Sequence, residues 1–235
     1  MNFIFNRKKL AESGLFQGFT DAHCHILPGV DDGVQTMEES LAILDCYKEL
    51  GVQEVWFTPH IMEDVPNKPT VLRQRFEDLQ AAYQGPLTLH LSAENMLDSI
   101  FQERFEQDDL LPWGKNGNRL LVETSYFKGP SNFDHILQRI AAKGYFPLLA
   151  HPERYLYMDK PDYRSLKQRG VEFQLNLFSL LGFYGHHAKE KAEFLLREGF
   201  YDYVATDLHS IGVLQDALLR SLSKKTIRLI EQIGK

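Results

Sequence analysis

The chain predicts an α/β fold, a TIM-like βα barrel of seven strands within 235 residues. Three observations carry that expectation. Short apolar runs alternate with stretches of helical periodicity along the chain. Gly144, Gly170 and Gly199 each close a helical stretch before the next apolar run, as helix-ending glycines do. At least six of the seven runs end in a His, Asp or Glu. Such groups converge on one mouth when strands close into a barrel, whereas distant strands of an open sheet cannot share one site.

The elements follow in order. Residues 18–25 form the first strand, ending in Asp21-Ala22-His23-Cys24-His25, with Asp31-Asp32-Gly33 close behind. Thr36-Met37-Glu38-Glu39 reads as a capping box opening a helix to about Leu50, where Gly51 supplies the stop. The strand at 54–59 leads into Thr58-Pro59-His60, and 69–84 has helical periodicity. Strands at 88–93 and 120–123 run into Ala93-Glu94-Asn95 and Val122-Glu123-Thr124. A helix at 132–143 precedes the strand at 146–150, which ends in His151-Pro152-Glu153-Arg154. The last units are a strand at 172–175, a helix at 187–198 and a strand at 203–206 that leads into Asp207-Leu208-His209.

Composition narrows the function classes. The chain is 43% hydrophobic and 25% charged, ordinary for a globular protein, and its length fits one domain over residues 1–235 with an N-terminal extension at 1–18. No apolar run is long enough to cross a bilayer. At the N-terminus the positive charges follow the apolar residues, the wrong order for a secretory signal. Two cysteines, Cys24 and Cys46, argue against a disulfide framework and for a reducing cytoplasm. A net charge of -6 without a basic run disfavours nucleic acid as a partner.

Nine side chains are candidate metal ligands: His23, His25, Asp32, His60, Glu94, Glu123, His151, Asp207 and His209. His23 and His25 lie two apart on a strand and face the same side, as do Asp207 and His209. Cys24 then faces the other way and packs. Taken singly, a strand-end glutamate is a solvated loop residue and a lone histidine a satisfied core group. Together, acids and imidazoles converging in an interior need a positive partner, and metal ions supply it. Carboxylates bridge metals and imidazoles suit Mn, Fe and Zn; five histidines are too many for a Mg-only or Ca-only site. His90, His135, His186 and His187 read as structural or surface groups, the last two in a loop, with His186 the nearest to the mouth. Asp31 reads as a turn acid or an outer partner. A cysteine phosphatase would require an arginine at position 30, where Val30 stands, and no phosphate-binding Gly-Lys loop or nucleophile elbow occurs.

The motif set Asp21–Pro28 with Asp31-Asp32-Gly33, Thr58-Pro59-His60, Ala150-His151-Pro152-Glu153-Arg154 and Ala205-Thr206-Asp207-Leu208-His209 resembles the polymerase-and-histidinol-phosphatase (PHP) superfamily. More narrowly, it is similar to the metal-dependent protein tyrosine phosphatases that accompany bacterial capsule and exopolysaccharide tyrosine kinases. The likeness runs from about Phe19 to Ser210. Ser92-Ala93-Glu94 stands where the family usually has Gly-x-Glu, and Leu208 where it often has Ala.

The resemblance implies a distorted seven-stranded barrel and three metals, manganese foremost, with iron or zinc also found. The first metal would take His23, His25, Glu94 and Asp207; the second Glu94, Glu123 and His151; the third Asp32, His60 and His209. Arg154 would contact the substrate phosphate, the bland alternative being a surface ion pair with Glu153. The chemistry it implies is attack by metal-bound hydroxide on phosphotyrosine of a tyrosine kinase partner, with Arg154 balancing charge on the phosphoryl oxygens. Tyr126, Phe127, Phe133, Tyr155 and Tyr157 on strand-end loops could flank a tyrosyl ring. The competing readings are a small-molecule phosphoesterase such as histidinol phosphatase, and a non-catalytic docking partner of the kinase, for which a full ligand set has no purpose.

Overall fold

The computed structural model describes residues 6–234. Residues 1–5, on which the reading of the N-terminus partly rests, lie outside the described residues, as does Lys235. In chain order the elements are β1 (Arg7–Lys9), β2 (Thr20–Cys24), α1 (Met37–Leu50), β3 (Glu54–Phe57), β4 (His60–Ile61), α2 (Pro69–Ala82), β5 (Thr88–Leu91), β6 (Glu94–Met96), α3 (Ser99–Glu106) and β7 (Arg119–Glu123). There follow α4 (Phe133–Ala142), β8 (Phe146–Ala150), α5 (Lys160–Gln168), β9 (Glu172–Asn176), α6 (Leu177–Leu180), α7 (Gly185–Glu198), β10 (Tyr203–Ala205), α8 (Ile211–Leu219), β11 (Ser221–Ser223) and α9 (Lys224–Ile230).

All seven expected strands exist, but they do not form one continuous ladder. A six-stranded parallel sheet has the order β10-β9-β8-β7-β6-β4, and a three-stranded parallel sheet the order β2-β3-β5. The expected second and third strands are each broken in two. β3 passes through Thr58-Pro59 into β4, and β5 through Ser92-Ala93 into β6, each changing sheet on the way. Pro59 has no N–H to offer a ladder. The backbone adjusts so that the Glu94 N–H donates to the carbonyls of Thr58 and Pro59. The outer strands of the two sheets are joined by a bridge between Cys24 and Leu208 and by N–H bonds from Asp207 to His23 and from His25 to Leu208. Asp21 adds a buried link: its carboxylate accepts from the Thr206 N–H and hydroxyl and from Tyr47. The result is a curled parallel sheet whose strand ends face one another.

The apolar residues divide by sheet face. On β7, Leu120 and Val122 join the main core under the helices, while Leu121 joins a smaller inner cluster with Ala22, Trp56, Trp113, Leu148, Ala150 and Ala205. Strands buried on both faces are apolar throughout, which is why the periodicity of β7 and β8 is featureless.

Local signals are mostly where expected. Thr36 caps α1 by accepting from the Glu39 N–H, and Gly51 ends the helix at φ 91°, a conformation that favours glycine. The capping box is only half formed, because the Glu39 carboxylate accepts from the Ile211 N–H instead of turning back on Thr36. His186 and His187 lie in the first turn of α7, not in a loop. Part of the expected N-terminal extension is integrated into the fold: β1 pairs antiparallel with β11, and Leu10 and Phe16 are buried in the main core.

Candidate metal centre

The expected ligands gather at the C-terminal ends of the parallel strands. His23 and His25 come from the end of β2, His60 opens β4, Glu94 opens β6 and Glu123 closes β7. His151 follows β8, and Asp207 and His209 follow β10. Donor atoms fall into three groups, each within 4.8 Å: His23, His25, Glu94 and Asp207; His60, Glu94 and Glu123; and His25, Asp32, His60 and His209.

Tautomers decide what these atoms present. The Gln174 amide is oriented by its N–H bond to the Ala22 carbonyl, so its oxygen accepts from Nδ1 of His23 at 2.7 Å. Nδ1 of His25 donates to Asp31 at 2.8 Å, and Nδ1 of His209 to the Asp207 carbonyl at 2.9 Å. In the neutral rings all three Nε2 atoms are therefore bare lone pairs. Yet the Nε2 atoms of His23 and His25 lie 2.8 Å apart. Each is also 3.2–3.4 Å from Glu94 Oε2 and Asp207 Oδ1. Lone pairs and carboxylates packed this closely repel unless a proton or a cation sits among them.

The titration tendencies express the same demand. Burial works against the charged ring of His23, but Glu94 and Asp207 outweigh it and raise its pKa. His25 is raised well above the usual value, with Asp31 overcoming burial. Glu94 and Asp207 are held well below the carboxylate range despite burial, chiefly by His23 with His60 and His25 respectively.

The buried atoms His60 Nδ1, Glu94 Oε2, Glu123 Oε1 and His151 Nδ1 have no hydrogen-bond partner. The first three form the second group: His60 Nδ1 lies 3.2 Å from Glu94 and 3.0 Å from Glu123. This unsatisfied donor set fits a cation. It differs from the expected second set, in which His151 stood where this group has His60. His151 Nε2 reaches Glu94 at 2.9 Å but Glu123 only at 3.8 Å. His60 spans two groups because its other nitrogen lies 3.6 Å from Asp32. The third group is the outermost, with the Asp32 side chain 69% exposed and His209 30% exposed.

Backbone strain coincides with two candidate ligands. Among the described residues only Asp108, His151 and Asp207 are non-glycine residues at positive φ, and two of these are candidate ligands. Strain of this kind persists where surrounding bonds over-determine it. Beside Asp207 that is the Asp21 link to Thr206. Beside His151 it is Glu153, whose buried carboxylate accepts from the Asn176 N–H and the Tyr201 hydroxyl.

Glu153 is thus no surface partner for Arg154. The arginine turns inward, its Nη1 2.7 Å from Asp207 Oδ2, and its guanidinium is stacked 4.4 Å from the Tyr126 ring centre and 4.1 Å from that of Tyr184. Burial opposes its charge, but Asp207 and the two tyrosines raise its pKa. Asn176 donates to the same Asp207 oxygen at 2.8 Å, leaving Oδ1 for the histidines. Gln174, Asn176 and Tyr184 escaped the sequence reading. Of the seven expected strands β9 alone does not lead into an ionisable group, and the only signal was the alternation Gln174-Leu175-Asn176.

Asp31 is an outer partner and turn acid, accepting also from the N–H groups of Gly33 and His60. Cys24 is buried in the main core with its thiol directed at the Trp56 carbonyl. His90 stacks on Trp56 and bonds Glu54; His135 and His186 are exposed, and His186 pairs with Glu190. Of the mouth aromatics, Tyr155 is buried, Tyr157 bonds Thr124, and Phe133 packs on the core.

The model of the capsular polysaccharide synthesis family CpsB/CapC matches residues 19–227. The chain belongs to this family. It is 26% identical to the tyrosine-protein phosphatase YwqE of Bacillus subtilis over 197 residues, covering 81% of this chain and 77% of that one. It is 28% identical to the tyrosine-protein phosphatase CpsB of Streptococcus agalactiae over 212 residues, covering 82% and 84%. Its fold matches a chain from the crystal structures of YwqE from Bacillus subtilis and CpsB from Streptococcus pneumoniae, described as metal-dependent tyrosine phosphatases. That match has a TM-score of 0.77 at 23% identity, covering 92% of this chain and 88% of that one. Among the described residues no helix is long and apolar enough to cross a membrane.

Proposed function

We propose that this CpsB/CapC chain is a metal-dependent protein tyrosine phosphatase. Its substrate is the phosphotyrosine of a bacterial tyrosine kinase that controls capsule or exopolysaccharide synthesis. It works in the cytoplasm as a single domain, its two sheets acting as one distorted seven-stranded barrel. The observation that carries the reading is the set of imidazole lone pairs and unpartnered carboxylate oxygens gathered at one mouth. The family and the activity of its relatives add the phosphotyrosine.

The mixed imidazole and carboxylate donors would hold transition-metal ions, and the family resemblance makes these three, manganese foremost. His23, His25, Glu94 and Asp207 would hold the first. His60, Glu94 and Glu123 would hold the second, with His151 beside it at Glu94, and Asp32 and His209 would hold the third together with the other nitrogen of His60. Bound there, the metals would polarise the phosphoryl oxygens and lower the pKa of the attacking water. The chain's own residues do the rest. Gln174, Asp31 and the Asp207 carbonyl keep the imidazole tautomers fixed, as outer partners of metal ligands do. Arg154 lies beside Asp207, where its planar fork grips two phosphate oxygens and stabilises charge in the transition state. The rings of Tyr126 and Tyr184 flank that guanidinium and steady it.

The test strips the purified protein with chelator and restores Mn, Zn or Mg, reading a phosphotyrosine peptide beside histidinol phosphate. Activity on the peptide returns with Mn. Melting temperature rises by roughly 5–10 °C at metal about 100-fold above its Kd. Full activity in the stripped protein defeats the metal chemistry, and a clear preference for histidinol phosphate moves the reading to a small-molecule phosphoesterase.

A further inference from the structure

The mouth of the site has an apolar edge that the phosphate chemistry does not use. Among the described residues five large hydrophobic side chains are markedly exposed: Val71, Phe127, Phe146, Leu156 and Leu219. Val71 and Leu219 lie on helices, and Phe146 begins β8 at the far end of the sheet. Phe127 and Leu156 are different. They are 76% and 52% exposed, and both stand on the loops that leave β7 and β8 beside the metal centre. The Leu156 N–H donates to the Tyr126 carbonyl at 2.8 Å, so the two loops are tied together at this point. Tyr126, next to Phe127, stacks on Arg154 and lies 5.8 Å from the His151 ring.

Depth says what this edge can touch. His23, His25 and Glu94 are fully buried, so a phosphate among them lies at the bottom of the mouth. A group reaching that depth passes Arg154 and the Tyr126 wall. A phosphotyrosine in a chain would carry its flanking residues outward past Tyr126, toward the exposed Phe127 and Leu156. A free small phosphate ends below them. Exposed Lys128 adjoins Phe127, placing a cation at the rim of a chain whose net charge is -6, which suits an anionic phosphopeptide.

Resting on the phosphotyrosine reading, we propose that Phe127 and Leu156 form an apolar lip that seats an apolar side chain flanking the phosphotyrosine, and so select peptide context. An isolated exposed apolar side chain needs no explanation, but two on loops joined by a backbone hydrogen bond beside a site offer a common apolar surface. The test uses metal-loaded full-length protein and two phosphotyrosine peptides of equal charge. One carries leucine, the other serine, on both sides of the phosphotyrosine. Wild type shows a KM roughly tenfold lower for the leucine peptide, the scale of one partly buried apolar side chain. In the double variant Phe127→Ser, Leu156→Ser this difference disappears, while both peptides are still cleaved and metal content is that of wild type. Equal KM values for the two peptides in wild type overturn the lip while leaving the phosphatase reading intact. A preference that survives in the double variant also overturns it. Turnover of histidinol phosphate with neither peptide cleaved overturns both readings together.

Discussion

The two ends of the curled sheet hold similar residues in opposite states. At the N-terminal end, Glu54 accepts from Lys115 at 2.7 Å and contacts His90 at 3.2 Å. Arg119 grips Glu172 with two N–H groups, and Asp202 accepts from the Phe173 N–H and pairs with Lys167. Trp56, Trp113 and Tyr203 pack ring on ring between them and line a cavity of about 690 Å³, with the Trp113 N–H bonded to the Ala22 carbonyl. Every carboxylate named there has a cationic or N–H partner. At the C-terminal end, four acids face five imidazoles, and buried oxygens and nitrogens are left without bonds. A satisfied polar network rigidifies a fold; an unsatisfied one is built for something else to complete. His90 and His25 are the same residue type on the two sides of that distinction.

The largest effect expected of any substitution comes from exchanging equivalent acids. Glu94→Gln lowers kcat by more than about 10²-fold, the upper range for outer partners of a metal, and lowers metal content. Glu54→Gln leaves both unchanged and costs no more than about 1 kcal/mol. Steady-state kinetics with metal quantification on both variants check this, and equal losses would erase the contrast. The same pair separates in acid. The Glu54 carboxyl is held below its usual range by its bond from Lys115. Its stabilisation is therefore present above its unfolded pKa and lost as pH falls through the folded value, a dependence absent from Glu54→Gln.

Arg154→Ala sharpens the contrast within the mouth. Turnover falls by roughly 10²-fold with metal content unchanged, because an arginine has no lone pair for a cation. Arg154→Lys recovers only part, since a point charge cannot reproduce the planar grip or the stacking. Lost metal in Arg154→Ala would instead make the arginine a support for Asp207.

Trp113→Ala belongs to the other end. It opens a cavity costing about 3–5 kcal/mol, a fall in melting temperature of roughly 10 °C, read by calorimetry. Below that temperature kcat/KM and metal content stay at the wild-type level; a loss of metal would show that the two ends are coupled.

The smallest effect is that of Cys24→Ser. The thiol points at the Trp56 carbonyl, away from the histidines, and burial pushes its pKa well up. Activity stays near wild type, at a stability cost of about 1 kcal/mol for a buried hydroxyl that keeps its bond. A collapse in turnover with the fold intact would reopen a thiol mechanism.

Legibility followed the range of the interaction. The seven apolar runs, the Thr36 cap and the Gly51 stop were readable because each depends on neighbours a few residues away. The nine candidate ligands could be singled out because charged groups at the ends of apolar runs are costly without a shared partner. The split of two strands at Thr58-Pro59 and Ser92-Ala93 was not, since it depends on which sheet each half pairs with. Nor was the diversion of Glu39 to the Ile211 N–H, a contact across 172 positions.

By itself, then, the order of residues determined the alternation of strand and helix, the mouth at which the ligands meet and the chemistry their types allow. Only the tertiary structure decided that His60 rather than His151 lies closest to Glu123, that Arg154 turns toward Asp207, and that Gln174 and Asn176 bond His23 and Asp207. The reason is geometric. A side chain's type is written in the sequence, but its partner is whatever polar atom folding brings within about 3 Å, and hydrogen bonds and metal sites are won or lost at that distance.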